Sequence, residues 1–180
     1  MKNNLYYPQV SLSDKEIFAE IKKEREVIGY YSLPYVDTTV LKTRLDDLNF
    51  PQKQIAIIGI GGSTLGTYAI YNFMKYNKQH NKSLKKELFF FESTDPVNLN
   101  GTLAQLNLSD TLFIVISKSG TTIETISIFK YLMSITKIDK SNLLIITEDD
   151  SKLNTFARAN DINYFDIPKN VGGRFSVLSN

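Results

Sequence analysis

Ile114-Val115-Ile116-Ser117-Lys118-Ser119-Gly120-Thr121-Thr122-Ile123-Glu124-Thr125 decides the fold class of this 180-residue chain. The apolar run Leu112 to Ile116 lacks polar alternation, the pattern of a strand buried on both faces of a parallel sheet. It stops abruptly in small hydroxyl residues and a glycine around one lysine. From Ile123 the period becomes helical, with Ile126, Phe129, Lys130 and Met133 recurring at three to four residues. The stretch therefore reads as strand, tight polar turn, helix. Such a turn gathers the N–H groups of a helix N-terminus, several hydroxyls and the Lys118 ammonium. The orphan N–H groups and the macrodipole both favour an anion there, and a phosphate suits the place. Read alone, the same hydroxyls serve equally well as caps of the following helix.

Working outward, Gln54 to Ile60 is a strand that runs into Gly61-Gly62-Ser63-Thr64-Leu65-Gly66 and an apolar helix holding Ala69, Ile70 and Phe73. Glu87 to Phe91 is a second strand. Asp95 as N-cap and Pro96 at the first helical position then open a helix to about Leu106. The central strand, Thr111 to Ile116, is followed by a helix to Thr136. Asn142 to Thr147 is the next strand, Ser151 caps a helix to about Asn160, and Asn163 to Ile167 is the last strand. Five strands alternating with four helices predict an α/β three-layer sandwich around a parallel sheet. In the common order 2-1-3-4-5, strand order reverses between the first and third strands, and open parallel sheets bind ligands at that point, outside the carboxyl ends. The loops Gly59–Gly66 and Ser117–Thr122 meet there. The first loop is neither a dinucleotide G-x-G-x-x-G nor a Walker A sequence, since Thr64 stands where the former needs glycine and no Gly-Lys-Ser/Thr follows.

Upstream, Ser13-Asp14-Lys15-Glu16 is a capping box opening a helix to about Tyr30, with Ile17, Ile21, Glu24 and Ile28 along one face. Val40, Leu41, Leu45 and Leu48 predict a second helix from Asp37 to Leu48. Residues 1–50 thus read as an N-terminal helical extension packed on an α/β domain of residues 51–180. Nothing in the extension asks for chemistry.

Composition narrows the partners. The chain has 21 basic and 19 acidic residues, a net charge of +2, and so no electrostatic reason to bind nucleic acid or an anionic membrane. It has no cysteine, which excludes disulfides and thiolate chemistry and fits a reducing cytoplasm. No signal-peptide core opens the sequence, and no apolar run approaches the ~20 residues of a membrane span. The single histidine, His80, sits in the polar stretch 75–86 and reads as a solvated residue, so a multi-histidine metal site is impossible. Neither a metal nor a cofactor is expected.

The glycine and hydroxyl stretches carry a resemblance. Ile58-Gly59-Ile60-Gly61-Gly62-Ser63-Thr64-Leu65-Gly66 is similar to the G-I-G-G-S-x-L-G stretch of the glucose-6-phosphate isomerase (phosphoglucose isomerase) family. Ser117 to Thr125 resembles that family's S-K-T-F-T-T-x-E-T, with Gly120 where phenylalanine is commoner. Val171-Gly172-Gly173-Arg174-Phe175-Ser176 resembles its V-G-G-R-[FY]-S. The second pattern is shared widely among sugar isomerase (SIS) domains, whereas the third is much narrower. The resemblance implies a flavodoxin-like SIS domain that binds sugar phosphates in the cytoplasm, in glycolysis and gluconeogenesis, within a homodimeric family. It implies phosphate contacts from Ser117, Lys118, Ser119 and Thr122, with Gly120 and Thr121 completing the loop. Gly62 and Ser63 match sugar-contacting positions. Arg174, following Gly173, matches an arginine that stabilises a cis-enediol(ate). The residue types fit that chemistry: a dianion wants hydroxyls, N–H groups and a cation, and a transient oxyanion wants a permanently charged guanidinium.

The departure matters as much. Aldose–ketose isomerisation needs a carboxylate base and a ring-opening group. In the family a glutamate, a histidine and a lysine beyond the V-G-G-R-F-S motif serve these ends, but this sequence stops at Asn180, four residues after Ser176. The expectation is a first SIS domain whose C-terminal half is absent and would be its partner surface. Glu124, on the phosphate-loop helix, is expected to be structural. The alternative is a free-standing SIS module that senses sugar phosphates without turnover.

Overall fold

The unbroken apolar run ending at Ser117 forms the central strand of a parallel sheet. The computed structural model describes residues 13–76 and 85–178; His80 lies outside them. The elements are α1 (Asp14–Glu24), α2 (Thr39–Leu48), β1 (Gln54–Ile58), α3 (Leu65–Tyr76), β2 (Glu87–Phe91), α4 (Pro96–Leu103), β3 (Thr111–Ser117), α5 (Ile123–Ile135), β4 (Leu143–Thr147), α6 (Lys152–Ala159) and β5 (Asn163–Asp166). Short 3₁₀ turns lie at Gly29–Tyr31, Gly61–Ser63 and Gly173–Leu178, among others. The five strands are all parallel, in the expected order β2-β1-β3-β4-β5. The register sets Ile58 beside Val115 and Ser117 beside Thr147, so the carboxyl ends of β1, β3 and β4 come out together. That places the two sequence-identified loops side by side.

Side chains alternate across the sheet. On one face Ala56, Ile58, Phe113, Val115, Leu143 and Ile145 are buried against Leu99 of α4, Ile128, Phe129 and Leu132 of α5, and Leu153 and Ala157 of α6. Each Å² of apolar surface buried here is worth roughly 25 cal/mol to folding. Covering the other face is α3, whose buried Tyr71 accepts a 3.3 Å hydrogen bond from the Leu88 N–H through its hydroxyl. At the β5 edge, Arg44 of α2 donates to the Tyr164 carbonyl at 2.8 Å and stacks 4.5 Å from the Phe165 ring. Coverage is thinner here, and Ile114, Ile116 and Ile146 are only half-buried.

Several expectations need correction. The Ser13–Glu16 capping box forms, but α1 ends at Glu24 rather than near Tyr30. The chain passes through β-branched Val27 and Ile28 into the Gly29–Tyr31 turn, and these are poor helix continuers. Its apolar side is not packed on the core: Ile17, Phe18 and Ile21 are 42%, 64% and 37% exposed. On α3, Ala69, Ile70 and Phe73 point outward while Tyr71 points in. On α5 the buried stripe is Thr125, Ile128, Phe129 and Leu132, whereas Ile123 and Met133 are exposed. Both helices carry apolar residues on two faces, so periodicity alone did not fix which face turns inward. Helix α4 ends at Leu103, short of Leu106. None of the helices among the described residues is long and apolar enough to cross a membrane.

Candidate functional site

Ser117, the last residue of β3, is buried, and its hydroxyl lies 3.0 Å from the Thr122 hydroxyl across the turn. Its carbonyl accepts the Gly120 N–H at 3.1 Å and the Thr147 hydroxyl at 2.7 Å. The end of β4 thereby holds the start of the turn. Gly120 has φ +65°, and a β-carbon there would lie 2.7 Å from the Ser151 hydroxyl. A left-handed backbone packed this tightly requires glycine, a local reason for Gly120. Ser119 Oγ accepts from the Thr121 N–H at 3.3 Å and lies 3.1 Å from its hydroxyl. The Lys118 ammonium donates to the Lys169 carbonyl at 3.0 Å and lies 3.6 Å from the Glu148 carboxylate.

The first glycine loop crosses close by. After β1 the chain makes the 3₁₀ turn Gly61–Ser63, anchored by the fully buried Thr64, whose hydroxyl donates to the Glu92 carboxylate. The third stretch arrives from β5: Val171 and Ser176 are buried, the Ser176 hydroxyl donates to the Gly173 carbonyl at 2.8 Å, and Arg174 between them is exposed. Gly62 lies directly against the backbone of Gly173 and Arg174. The three loops enclose a cleft of about 420 Å³ lined by Ile60, Gly62, Ser63, Lys118, Ser119, Thr122, Glu148, Gly173 and Arg174.

Segments distant in sequence thus place two cations, hydroxyls and the N-terminal end of α5 around one polar cleft. The family model described as Phosphoglucose isomerase matches residues 51–180. The chain belongs to the phosphoglucose isomerase family. A glucose-6-phosphate isomerase of Campylobacter jejuni is 37% identical over 193 residues, covering 99% of this chain and 45% of the relative. Among solved structures, a hypothetical protein from Thermus thermophilus superposes with a TM-score of 0.73 at 29% identity, over 92% of this chain and 40% of that one. A glucose-6-phosphate isomerase from Chlamydia trachomatis superposes with a TM-score of 0.62 at 26% identity, over 96% of this chain and 31% of that one. This phosphoglucose isomerase family member therefore spans less than half the length of these relatives.

Of the residues singled out from sequence, Gly62, Ser63, Lys118, Ser119, Thr122, Gly173 and Arg174 line the cleft together. Ser117 lies beneath it, holding Thr122. Gly120 and Thr121 instead border the groove between α5 and α6, with Ile123, Phe129 and Leu153. Glu124 is exposed on the first turn of α5 and is not part of the cleft lining. Sequence reasoning missed Glu148. The available signal was topological, because Glu148 directly follows β4, the strand beside β3, and so emerges at the same carboxyl end. Among the described residues no group of three histidine, cysteine, aspartate or glutamate side chains is placed to hold a metal ion.

Proposed function

We propose that this chain is the sugar-phosphate-binding part of an aldose–ketose isomerase that interconverts glucose 6-phosphate and fructose 6-phosphate. The observation that carries the reading is the convergence of Lys118, Ser119 and Thr122 with Gly62, Ser63 and Arg174 on one cleft. In this reading the hydroxyls, the α5 N-terminus and Lys118 take the phosphate, since charge-assisted hydrogen bonds at a helix N-terminus suit a dianion. Gly62 and Ser63 contact the sugar. Arg174, exposed and without an ion pair among the described residues, supplies fixed positive charge where an enediolate oxygen develops its negative charge. Membership of the phosphoglucose isomerase family and the names of the relatives support the substrate assignment. Titration calorimetry with fructose 6-phosphate and with inorganic phosphate tests it: saturable binding of both, weakened in Lys118→Ala, is expected, and no binding of either overturns it.

One observation favours a second reading, a sugar-phosphate-binding module without turnover. Among the described residues the carboxylate lining the cleft is Glu148, and it is already engaged by Lys118. A proton-transfer base needs a free carboxylate in reach of the substrate carbons. Isomerase activity gained on adding the part of the Campylobacter jejuni relative outside the matched region separates the two readings, since a module without turnover would gain none.

A further inference from the structure

The Arg174 guanidinium has no partner among the described residues, so its aim depends on what holds the turn that carries it. One side is held by Gly62, against which the Gly173–Arg174 backbone is pressed. The other side is held by the N-terminal extension. The buried Gly29 donates its N–H to the Asn170 carbonyl at 2.9 Å, and the Asn170 side chain packs against Gly29. One residue on, the Tyr30 ring lies 4.7 Å from the Phe175 ring at 39°, and Tyr31 backs Tyr30 at 4.4 Å. Asn170 and Phe175 bracket Arg174 in sequence. The Lys169 carbonyl, which receives the Lys118 ammonium, belongs to the same segment.

We infer that the Gly29–Tyr31 turn is a positioning element for the active cleft, with Tyr30 as the residue that sets Arg174 through Phe175. The inference rests on the proposed sugar-phosphate reading for its ligand, but its geometry stands without one. Tyr30 does not touch the cleft: the lining contains Gly173 and Arg174 but neither Tyr30 nor Phe175. Its effect should therefore be largest on ligands that use Arg174. A contact serving only overall stability would instead weaken every ligand alike.

The test uses the full chain and two probes. Inorganic phosphate reports on the Lys118 loop. A five-carbon aldonic acid phosphate carries, in addition, a carboxylate where the enediolate charge would form, and so reports on Arg174. Tyr30→Ala is expected to weaken the sugar-acid phosphate roughly three- to tenfold, the range of one aromatic pair, while leaving inorganic phosphate within about twofold. Tyr30→Phe keeps the ring and should match the wild type. In the Arg174→Ala background, Tyr30→Ala should add nothing further. Equal loss for both probes, additive loss with Arg174→Ala, or no loss at all would overturn the inference. Tyr30→Leu, which retains apolar bulk, replaces the alanine variant if circular dichroism shows that one unfolded. If the wild type binds neither probe, the sugar-phosphate reading fails and a ligand-free readout decides this one. The backbone amide resonances of Gly173 and Arg174 should then shift in Tyr30→Ala or Tyr30→Leu but not in Tyr30→Phe, and unmoved resonances would overturn the inference.

Discussion

A β-carbon on Gly62 would lie 2.7 Å from the Cα of Arg174 and closer still to the Gly173 carbonyl oxygen. The first and third loops therefore meet through backbone, with no side chain between them. Gly62→Ala is expected to push the Arg174 turn away and to cost about 1–3 kcal/mol in urea denaturation, the usual penalty for overpacking. Sugar-phosphate affinity should fall with it. Unchanged stability and affinity would mean that the two loops do not meet as described.

Lys118 is the cation carried by the turn itself, and its side chain is 24% exposed. Lys118→Ala should weaken fructose 6-phosphate binding by about 1.5–3 kcal/mol, the range for hydrogen bonds to charged groups. Lys53→Ala and Lys137→Ala are controls that should change little: Lys53 borders a cavity with Gln54 and Glu87 at the amino ends of the strands, and the Lys137 side chain is 87% exposed. Equal calorimetric affinities for the wild type and Lys118→Ala would remove this loop from the phosphate site.

The strands were legible because a parallel sheet buried on both faces demands unbroken apolar runs, as in Gln54–Ile58, Thr111–Ser117 and Leu143–Thr147, while their order followed the common arrangement for five such strands. The cleft was legible to the extent that it is built from local turns. Lys118 sits in a hydroxyl-rich strand-to-helix turn whose backbone chemistry points to an anion, whereas Gly62, Ser63 and Arg174 were picked out by the resemblance of their stretches to the family's motifs. Glu148 and Tyr30 had neither signal. Each reaches the cleft or its support through tertiary placement, Glu148 by strand adjacency and Tyr30 by a ring contact with Phe175, 145 positions along the chain. The direction of α3 was illegible for a different reason. Tyr71 and Phe73 are both large and apolar, and packing against Phe90 chose the tyrosine.

The turn entering β4 carries a pH signature. Asp139 accepts the Ser141 hydroxyl at 2.6 Å and the Ser141 N–H at 2.9 Å, with the Lys137 ammonium 3.3 Å away. These hold its carboxyl down from an ordinary 3.8 to about 2. A carboxyl depressed by folding contributes stability that is complete above its unfolded value and is lost as pH falls through its folded value. The contribution should therefore fade between about pH 4 and pH 2. A carbon NMR titration should place the Asp139 midpoint near the bottom of that window, and Ser141→Ala should move it up towards the ordinary range. Coincident midpoints in the two proteins would show that the serine does not hold the carboxylate.

The most demanding prediction concerns turnover. In the proposed reading the cleft supplies phosphate ligands and a guanidinium, enough for binding and for stabilising an oxyanion. Moving a proton between adjacent sugar carbons further requires a carboxylate or equivalent base within hydrogen-bond reach, and such assistance contributes about 10²–10⁴-fold. Among the described residues, the carboxylate lining the cleft is Glu148, and the Lys118 ammonium lies 3.6 Å from it. The chain on its own is therefore expected to convert fructose 6-phosphate to glucose 6-phosphate no faster than a weak, binding-driven background, assayed on protein cleared of host isomerase. Adding, as a separate polypeptide, the part of the Campylobacter jejuni relative outside the matched region should raise the rate sharply, and Arg174→Ala should abolish that gain. Robust turnover by the chain alone would mean that one of its own carboxylates is the base. Glu148→Gln, rather than a change at the outlying Glu124, would then be the variant expected to silence it.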